Sequence, residues 1–171
     1  MKILETERLV LRQVSIEDAE IILTLLNEPS FIRNIGDREV RTLDDARKYI
    51  LDRLVASYEK YGFGMYLVEV KESGAPAGLC GLVRRDGLED VDIGYALLPQ
   101  YWSKGYATES AVAVKEYAKN TIGLRRLVAI TDPRNHGSIR VLQKIGLIFE
   151  KMVRLSEDDI ELKLYAADFN E

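Results

Sequence analysis

At Phe63 the apolar period of the chain changes. From there the apolar residues fall into short runs at 65–70, 77–83 and 91–98, reversed at Ser73-Gly74 and Asp86-Gly87 and stopped by Pro99. Strand-length runs separated by such turn signals predict an antiparallel meander. Next comes a helical stripe at 107–122 (Ala111, Val114, Ala118, Ile122), then a short apolar run at 126–131. Strand, helix, strand in that order predicts a parallel pair joined by a right-handed crossover.

The rest follows from the same periodicities. Residues 6–14 alternate around Leu9 and Leu11 as a half-buried strand does. Ser15 offers an N-cap with Asp18 three residues on, ahead of the stripe Ala19, Ile22, Leu23 and Leu26, and Pro29 closes that helix. A second helix starts after Thr42, with Asp44 and Asp45 in its first turn and the stripe Ala46, Tyr49, Ile50, Leu54 and Tyr58, and ends at Gly62. A further helix is expected at 135–144, closed by Gly146, and strands at 147–155 and 160–166 turn at Glu157-Asp158-Asp159. The expected fold class is α/β, mixed α+β. It has a central, mostly antiparallel twisted sheet of about seven strands with one parallel, splayed pair, flanked by about four helices in a single domain over 1–171.

Composition removes several function classes. The formal net charge of −4 offers no basic surface for nucleic acid, and no apolar run reaches the ~18–20 residues of a membrane span. Lys2, Glu5, Glu7 and Arg8 make the start too charged for a signal peptide, so a cytoplasmic protein is expected. The only cysteine, Cys80, sits between Leu79 and Gly81 and reads as a buried structural thiol. With His136 the only histidine, a His-rich metal site is excluded and no metal is expected.

The segment that carries chemistry runs from Ile93 to Glu109, where an apolar strand passes through a short polar loop directly into a helix. The first amides of a helix have no intrahelical partners and lie at its positive end, so a phosphate placed there receives several hydrogen bonds. Gly105 lets the backbone approach an anion, Ala107 keeps the opening turn narrow, Thr108 offers a hydroxyl and Lys104 a charge. An ordinary strand-to-helix turn would explain the same residues. No G-x-x-x-x-G-K-[ST] run is present, and no G-x-G-x-x-G follows a strand, which removes most support for nucleotide hydrolysis and dinucleotide redox chemistry. A second strand-to-helix passage spans 131–138, with Asn135 near the helix cap. If the two parallel strands diverge, both strand ends open on one crevice.

The stretch Trp102 to Glu109, the pattern Asn135-x-x-Ser138 and the run Lys144-Ile145-Gly146 together resemble the GCN5-related N-acetyltransferase (GNAT) superfamily. The opening Glu5-Thr6-Glu7-Arg8-Leu9-Val10-Leu11-Arg12 and the Ile93-Gly94-Tyr95 strand resemble its branch that includes the RimJ/RimL ribosomal-protein N-terminal acetyltransferases. The similarity covers essentially the whole chain and implies an acyl-CoA N-acyltransferase fold with acetyl-CoA as co-substrate. It also implies that amides of Trp102, Ser103, Lys104, Gly105, Tyr106 and Ala107 cradle the coenzyme diphosphate, with Thr108 beside them. The pantetheine arm would lie along Ala96, Leu97 and Leu98 like an added strand, with Asn135 bonding it from across the crevice. Two departures stand out: Trp102 occupies a position often held by Arg or Gln, and Leu142 stands where many members carry a general-acid tyrosine.

An amine attacks a thioester when unprotonated, and a side-chain ammonium titrates near ~10 where an α-amino group titrates near ~8. A carboxylate acting through water would take the proton. Asp92, Glu69 and Glu109 are candidates, with Tyr95 as a polar cleft residue. Asp92 heads the strand expected beside the thioester and is the first choice, although a solvated acid at a strand start fits it too. Glu109 in a helical first turn is accounted for by the dipole. A main-chain N–H near Ala96 would stabilise the carbonyl oxygen if the strand is bulged there. Ser138 is the best-placed replacement for the missing tyrosine, or else only packs at its helix start. The acceptor is an amine, either of a protein N-terminus or of a small molecule such as a polyamine or antibiotic. Phe31, Ile32 and Ile35 lie in an irregular stretch between the first two helices, which the resemblance implies shapes the acceptor site. Arg33, Arg38 and Arg41 nearby read as solvated, or else as binding an acidic group of a protein substrate. A non-catalytic acyl-CoA sensor is the competing reading, and a homodimer is left open.

Overall fold

The computed structural model describes residues 1–169, so the last two positions of the expected domain lie outside it. It contains one eight-stranded sheet in the order β1-β2-β3-β4-β5-β6-β8-β7. The strands are β1 (Lys2–Glu5), β2 (Leu9–Arg12), β3 (Met65–Val70), β4 (Pro76–Val83), β5 (Asp92–Leu97), β6 (Arg126–Thr131), β7 (Ile148–Val153) and β8 (Leu162–Asp168). Neighbours pair antiparallel except β5 and β6, which are parallel. The mixed architecture expected from periodicity is therefore the one found, with one strand more than the sequence suggested. That strand is β1, whose Lys2-Ile3-Leu4-Glu5 is too short to alternate visibly and pairs with β2 through an irregular register.

The helices are α1 (Ala19–Leu26), α2 (Pro29–Asn34), α3 (Leu43–Tyr49), α4 (Ala56–Tyr61), α5 (Tyr106–Tyr117) and α6 (His136–Lys144). Capping boxes at Ser15/Asp18 and Thr42/Asp45 fix where the first turns begin, as the sequence indicated. A π-helical stretch, Ile50–Val55, joins α3 to α4, and Gly62 ends the run in a left-handed cap. Pro29 does not merely close α1. It occupies the first turn of α2, where its missing N–H leaves no intrahelical bond unmade, so part of the expected irregular stretch is helical.

Two apolar clusters pack on opposite faces of the sheet. One joins Leu9, Leu11, Tyr66, Val68, Ile93 and Leu97 to Ala111 and Val114 of α5 and Leu142 of α6. The other joins Leu67, Leu79 and Leu98 to Ile22, Leu25, Ala46 and Ile50 of the α1–α4 layer. Strand alternation thus sends Ile93, Tyr95 and Leu97 toward α5 and α6, and Ala96 and Leu98 toward α1–α4. At the far end β7 is an edge strand with Ile148, Phe149 and Met152 exposed and a register shift between Phe149 and Lys151.

Candidate active site

Strands β5 and β6 are in register only at Asp92 and Val128, where Val128 N–H donates to Val91 O at 3.1 Å. Beyond that point they diverge, and both run into helix starts: β5 through the loop to α5, β6 through 132–135 to α6. The crevice inferred from the sequence is the space between those ends.

Along β5 the main chain divides by alternation. Leu98 N–H donates to Ala77 O at 2.8 Å, so Leu98 and, two residues back, Ala96 turn their polar groups to β4. Tyr95 and Leu97 turn theirs to the crevice. No bulge exists at Ala96, since the β4–β5 register runs one-for-one from Gly78↔Leu97 to Val83↔Asp92. The irregularity is one strand away, where Val68↔Gly78 is followed by Glu69↔Pro76 and Ala77 is the extra residue. A donor toward the crevice therefore comes from Tyr95 or Leu97, not from Ala96. Trp102 bends back over this edge, its indole Nε1 donating to Leu97 O at 2.8 Å. The residue that departs from the resembled pattern thus closes the strand-to-loop turn.

The loop and the start of α5 present the expected donors. Tyr101 N–H and Trp102 N–H already bond Leu98 O and Pro99 O, which takes Trp102 off the list of free amides. Gly105 is the N-cap at φ 83°, and the first intrahelical bond is from Glu109 N–H to Gly105 O at 3.0 Å. The amides of Gly105, Tyr106, Ala107 and Thr108 therefore precede any helical acceptor, four donors at the positive end of a twelve-residue helix. Ser103 also takes a positive φ of 61°, and Ser103, Lys104 and Gly105 are exposed. This donor set suits a diphosphate: several main-chain N–H groups, one lysine, and no carboxylate other than Glu109.

Glu109 is fully engaged. It accepts from Thr6 Oγ1 at 2.6 Å, from Arg8 N–H at 2.9 Å and from Arg8 Nε at 2.7 Å. Burial alone would raise its pKa, but these three donors hold it below the usual carboxylate value. The dipole reading of Glu109 was thus incomplete, because its partners lie a hundred residues away in sequence. Glu69, also named as a base, pairs with Arg12 at 3.1 Å, and Arg12 in turn holds Asp18 at 2.8 Å.

Across the crevice, Asn135 caps α6 by accepting from Ser138 N–H at 3.2 Å. Its side-chain amide nitrogen has no bond among the described residues. The turn before it is held by Asp132, buried, which binds Arg134 at 2.8 Å and has its pKa lowered to about 2 by that guanidinium. Sequence reading overlooked Asp132, although an acid two residues before an arginine in a tight turn is a visible signal. Ser138 is brought against the Tyr95 phenol. Burial raises the phenol's pKa and the Ser138 hydroxyl beside it opposes that rise.

Asp92 is not brought to that pair. It is buried at the foot of the split, on the opposite side of β5 from Tyr95, in an ion pair with Arg85 at 3.2 Å. Burial pushes its pKa up to about 6, against the pull of Arg85. It is not the solvated acid that a strand start allowed. Cys80 is fully buried opposite Tyr95, and burial pushes its thiol up to about 12, so it is no nucleophile at neutral pH. A concavity of about 660 Å³ lies elsewhere, between α5, β7 and β8 near Lys115, Gly146 and Phe149, away from every one of these groups.

Comparison with known proteins decides the family. Residues 8–148 match the model of the acetyltransferase (GNAT) domain. The chain belongs to the GNAT acetyltransferase family. The acetyltransferase is 30% identical over 154 residues to the uncharacterized N-acetyltransferase YoaA of Bacillus subtilis, covering 89% of this chain and 86% of that protein. It superposes on the crystal structure of a GNAT-family acetyltransferase from Bacillus anthracis with a TM-score of 0.81, 25% identity and complete coverage of both chains. At 20% identity and a TM-score of 0.82, with 98% of each chain covered, RimL, a ribosomal L7/L12 alpha-N-protein acetyltransferase solved with coenzyme A, shares the fold. As an acetyltransferase of this family, the enzyme uses acetyl-CoA to acetylate an amine. No helix among the described residues is long and apolar enough to cross a membrane.

Proposed function

We propose that the enzyme transfers acetyl by direct attack of a primary amine, with a protein N-terminal α-amine as the acceptor. The observation that carries acetyl transfer is the union, in one split of the sheet, of four amides at the α5 start, unpaired among the described residues, with the crevice-facing main chain of Tyr95 and Leu97. The full burial of the only cysteine, Cys80, favours direct attack over a covalent relay. The coenzyme, when bound, supplies an acetyl thioester. The chain's own part is to hold its diphosphate on the loop 103–108, pair its amide-rich arm with the β5 edge, and receive it from the far side through Asn135.

Proton movements divide between the faces of the sheet. On the α1–α4 face Asp92 takes the proton that the amine loses, through water. On the α5–α6 face the Tyr95 phenol, neutral at physiological pH and beside Ser138, donates to the departing sulfur. A carboxylate titrating near 6 is a modest base, which suits an α-amine of pKa near ~8 better than a lysine near ~10. RimL, which shares the fold, is described as acting on a protein α-amine, which supports the same class of acceptor.

Acetyl-CoA turnover measured in parallel on N-terminal peptides, lysine peptides and small amines tests the acceptor. Faster turnover of the α-amines is expected. Preference for a polyamine or an antibiotic amine would replace this reading, and coenzyme binding without turnover on any amine would favour a sensor. The base is tested by pH. Below about 6 Asp92 is protonated and cannot accept, so kcat/KM should fall tenfold per unit there, on top of the loss from protonating the amine. Asp92→Asn should lower kcat at neutral pH and abolish that limb. A variant that keeps both rate and limb excludes Asp92.

A further inference from the structure

We propose that Arg8 is the positioning residue of the diphosphate loop, setting the direction of the Gly105 amide from the turn between β1 and β2, far away in sequence. The proposal rests on the reading that this loop holds the coenzyme diphosphate. Arg8 lies between β1 and β2, where Thr6 N–H bonds Leu9 O at 2.9 Å and Leu9 N–H bonds Thr6 Oγ1 at 3.0 Å, so its backbone is fixed. Its guanidinium then makes three different contacts with the start of α5. Nε donates to Glu109 Oε1 at 2.7 Å, Nη1 donates to Lys104 O at 2.9 Å, and the guanidinium carbon lies 4.5 Å from the centre of the Tyr106 ring.

The contact with Lys104 O is the informative one. That carbonyl belongs to the same peptide unit as the Gly105 N–H, and a peptide unit is planar and trans. Anchoring the oxygen on one side therefore aims the hydrogen on the other, and a charge-assisted bond to the oxygen polarises the N–H toward an anion. Gly105, at φ 83° and exposed, has no rigidity of its own to do this. Arg8 also closes the inner side of the turn, since a Cβ on Gly105 would lie 3.2 Å from Nη2. Lysine cannot replace it. An ammonium is a point donor without the planar fork that reaches a carboxylate and a carbonyl while lying on an aromatic ring.

The test measures the dissociation constants of coenzyme A and dephospho-coenzyme A by calorimetry, and KM for acetyl-CoA and acetyl-pantetheine, in wild type and Arg8→Lys. Charge is conserved, so a purely electrostatic role would leave all four unchanged and overturn the proposal. The expected result is about tenfold weaker binding of both coenzyme forms, with KM for acetyl-pantetheine, which has no diphosphate, moving less than twofold. Loss confined to coenzyme A would assign Arg8 to the 3′-phosphate instead, and an equal loss with acetyl-pantetheine would make it a general structural residue. Either overturns it. Should Arg8→Lys not fold, Glu109→Gln, which loosens the same guanidinium, is expected to give the same pattern at about threefold. If wild type itself showed no preference for acetyl-CoA over acetyl-pantetheine, the loop reading would fail rather than the role of Arg8.

Discussion

Ser138→Ala is expected to lower kcat by about 10²-fold while the affinity for coenzyme A stays within twofold, the lower range for loss of a positioned proton donor. The hydroxyl lies at the open end of α6 against the Tyr95 phenol. Its own N–H, not its hydroxyl, is what Asn135 binds, so alanine keeps the cap intact. Tyr95→Phe should give a loss of similar size. If the two groups hand on one proton, the double variant is no worse than the poorer single one, because residues that act as a unit are not additive. Full multiplication of the two losses would show that they act separately. A Ser138 variant with normal kcat would remove it from the reaction, leaving only the packing role that Leu142, buried on the same helix, already shares.

The largest effect on stability is expected at Gly78, which itself exchanges no proton. Its φ is +151°, and a Cβ there would fall 2.2 Å from Ala96 O and 2.8 Å from Leu97 Cα, both main-chain atoms of β5. Neither atom moves without moving the strand that lines the crevice. Gly78→Ala should therefore destabilise the fold by about 3 kcal/mol, a drop in Tm of roughly 6–12 °C, and weaken coenzyme binding in whatever fraction stays folded. Thermal unfolding and calorimetry on the same sample separate the two effects. A variant with wild-type Tm would mean that β4 and β5 shift apart freely, contrary to their one-for-one register.

How much of this was readable beforehand depended on sequence separation. The meander β3–β5, the helix–strand crossover and the α6 start were legible because each declares itself within a window of about ten residues through period, turn residues and caps. The loop 102–108 was legible for the same reason. Pro29 was misjudged because proline both ends one helix and opens another, and only the packing of Phe31 beneath α2 decides between them. The pairing of Asp92 with Arg85 spans the Asp86-Gly87 turn, whose shape a residue pattern does not specify. The grip of Thr6 and Arg8 on Glu109 crosses more than a hundred residues, and no local rule reaches that far. The displaced bulge belongs to the same class, since it follows from how β3 and β4 share their register and not from β5 itself.

The exposed margin formed by β7 bears on how the protein behaves in concentrated solution. A bare strand with outward isoleucine, phenylalanine and methionine would ordinarily recruit another strand and seed aggregates. Here the kink between Phe149 and Lys151 breaks the run of hydrogen-bonding groups, and Glu150 is drawn sideways to Arg126 at 2.6 Å. This margin therefore carries a bend and a tethered charge that interrupt the edge, and straightening the bend would restore an edge that another strand could extend.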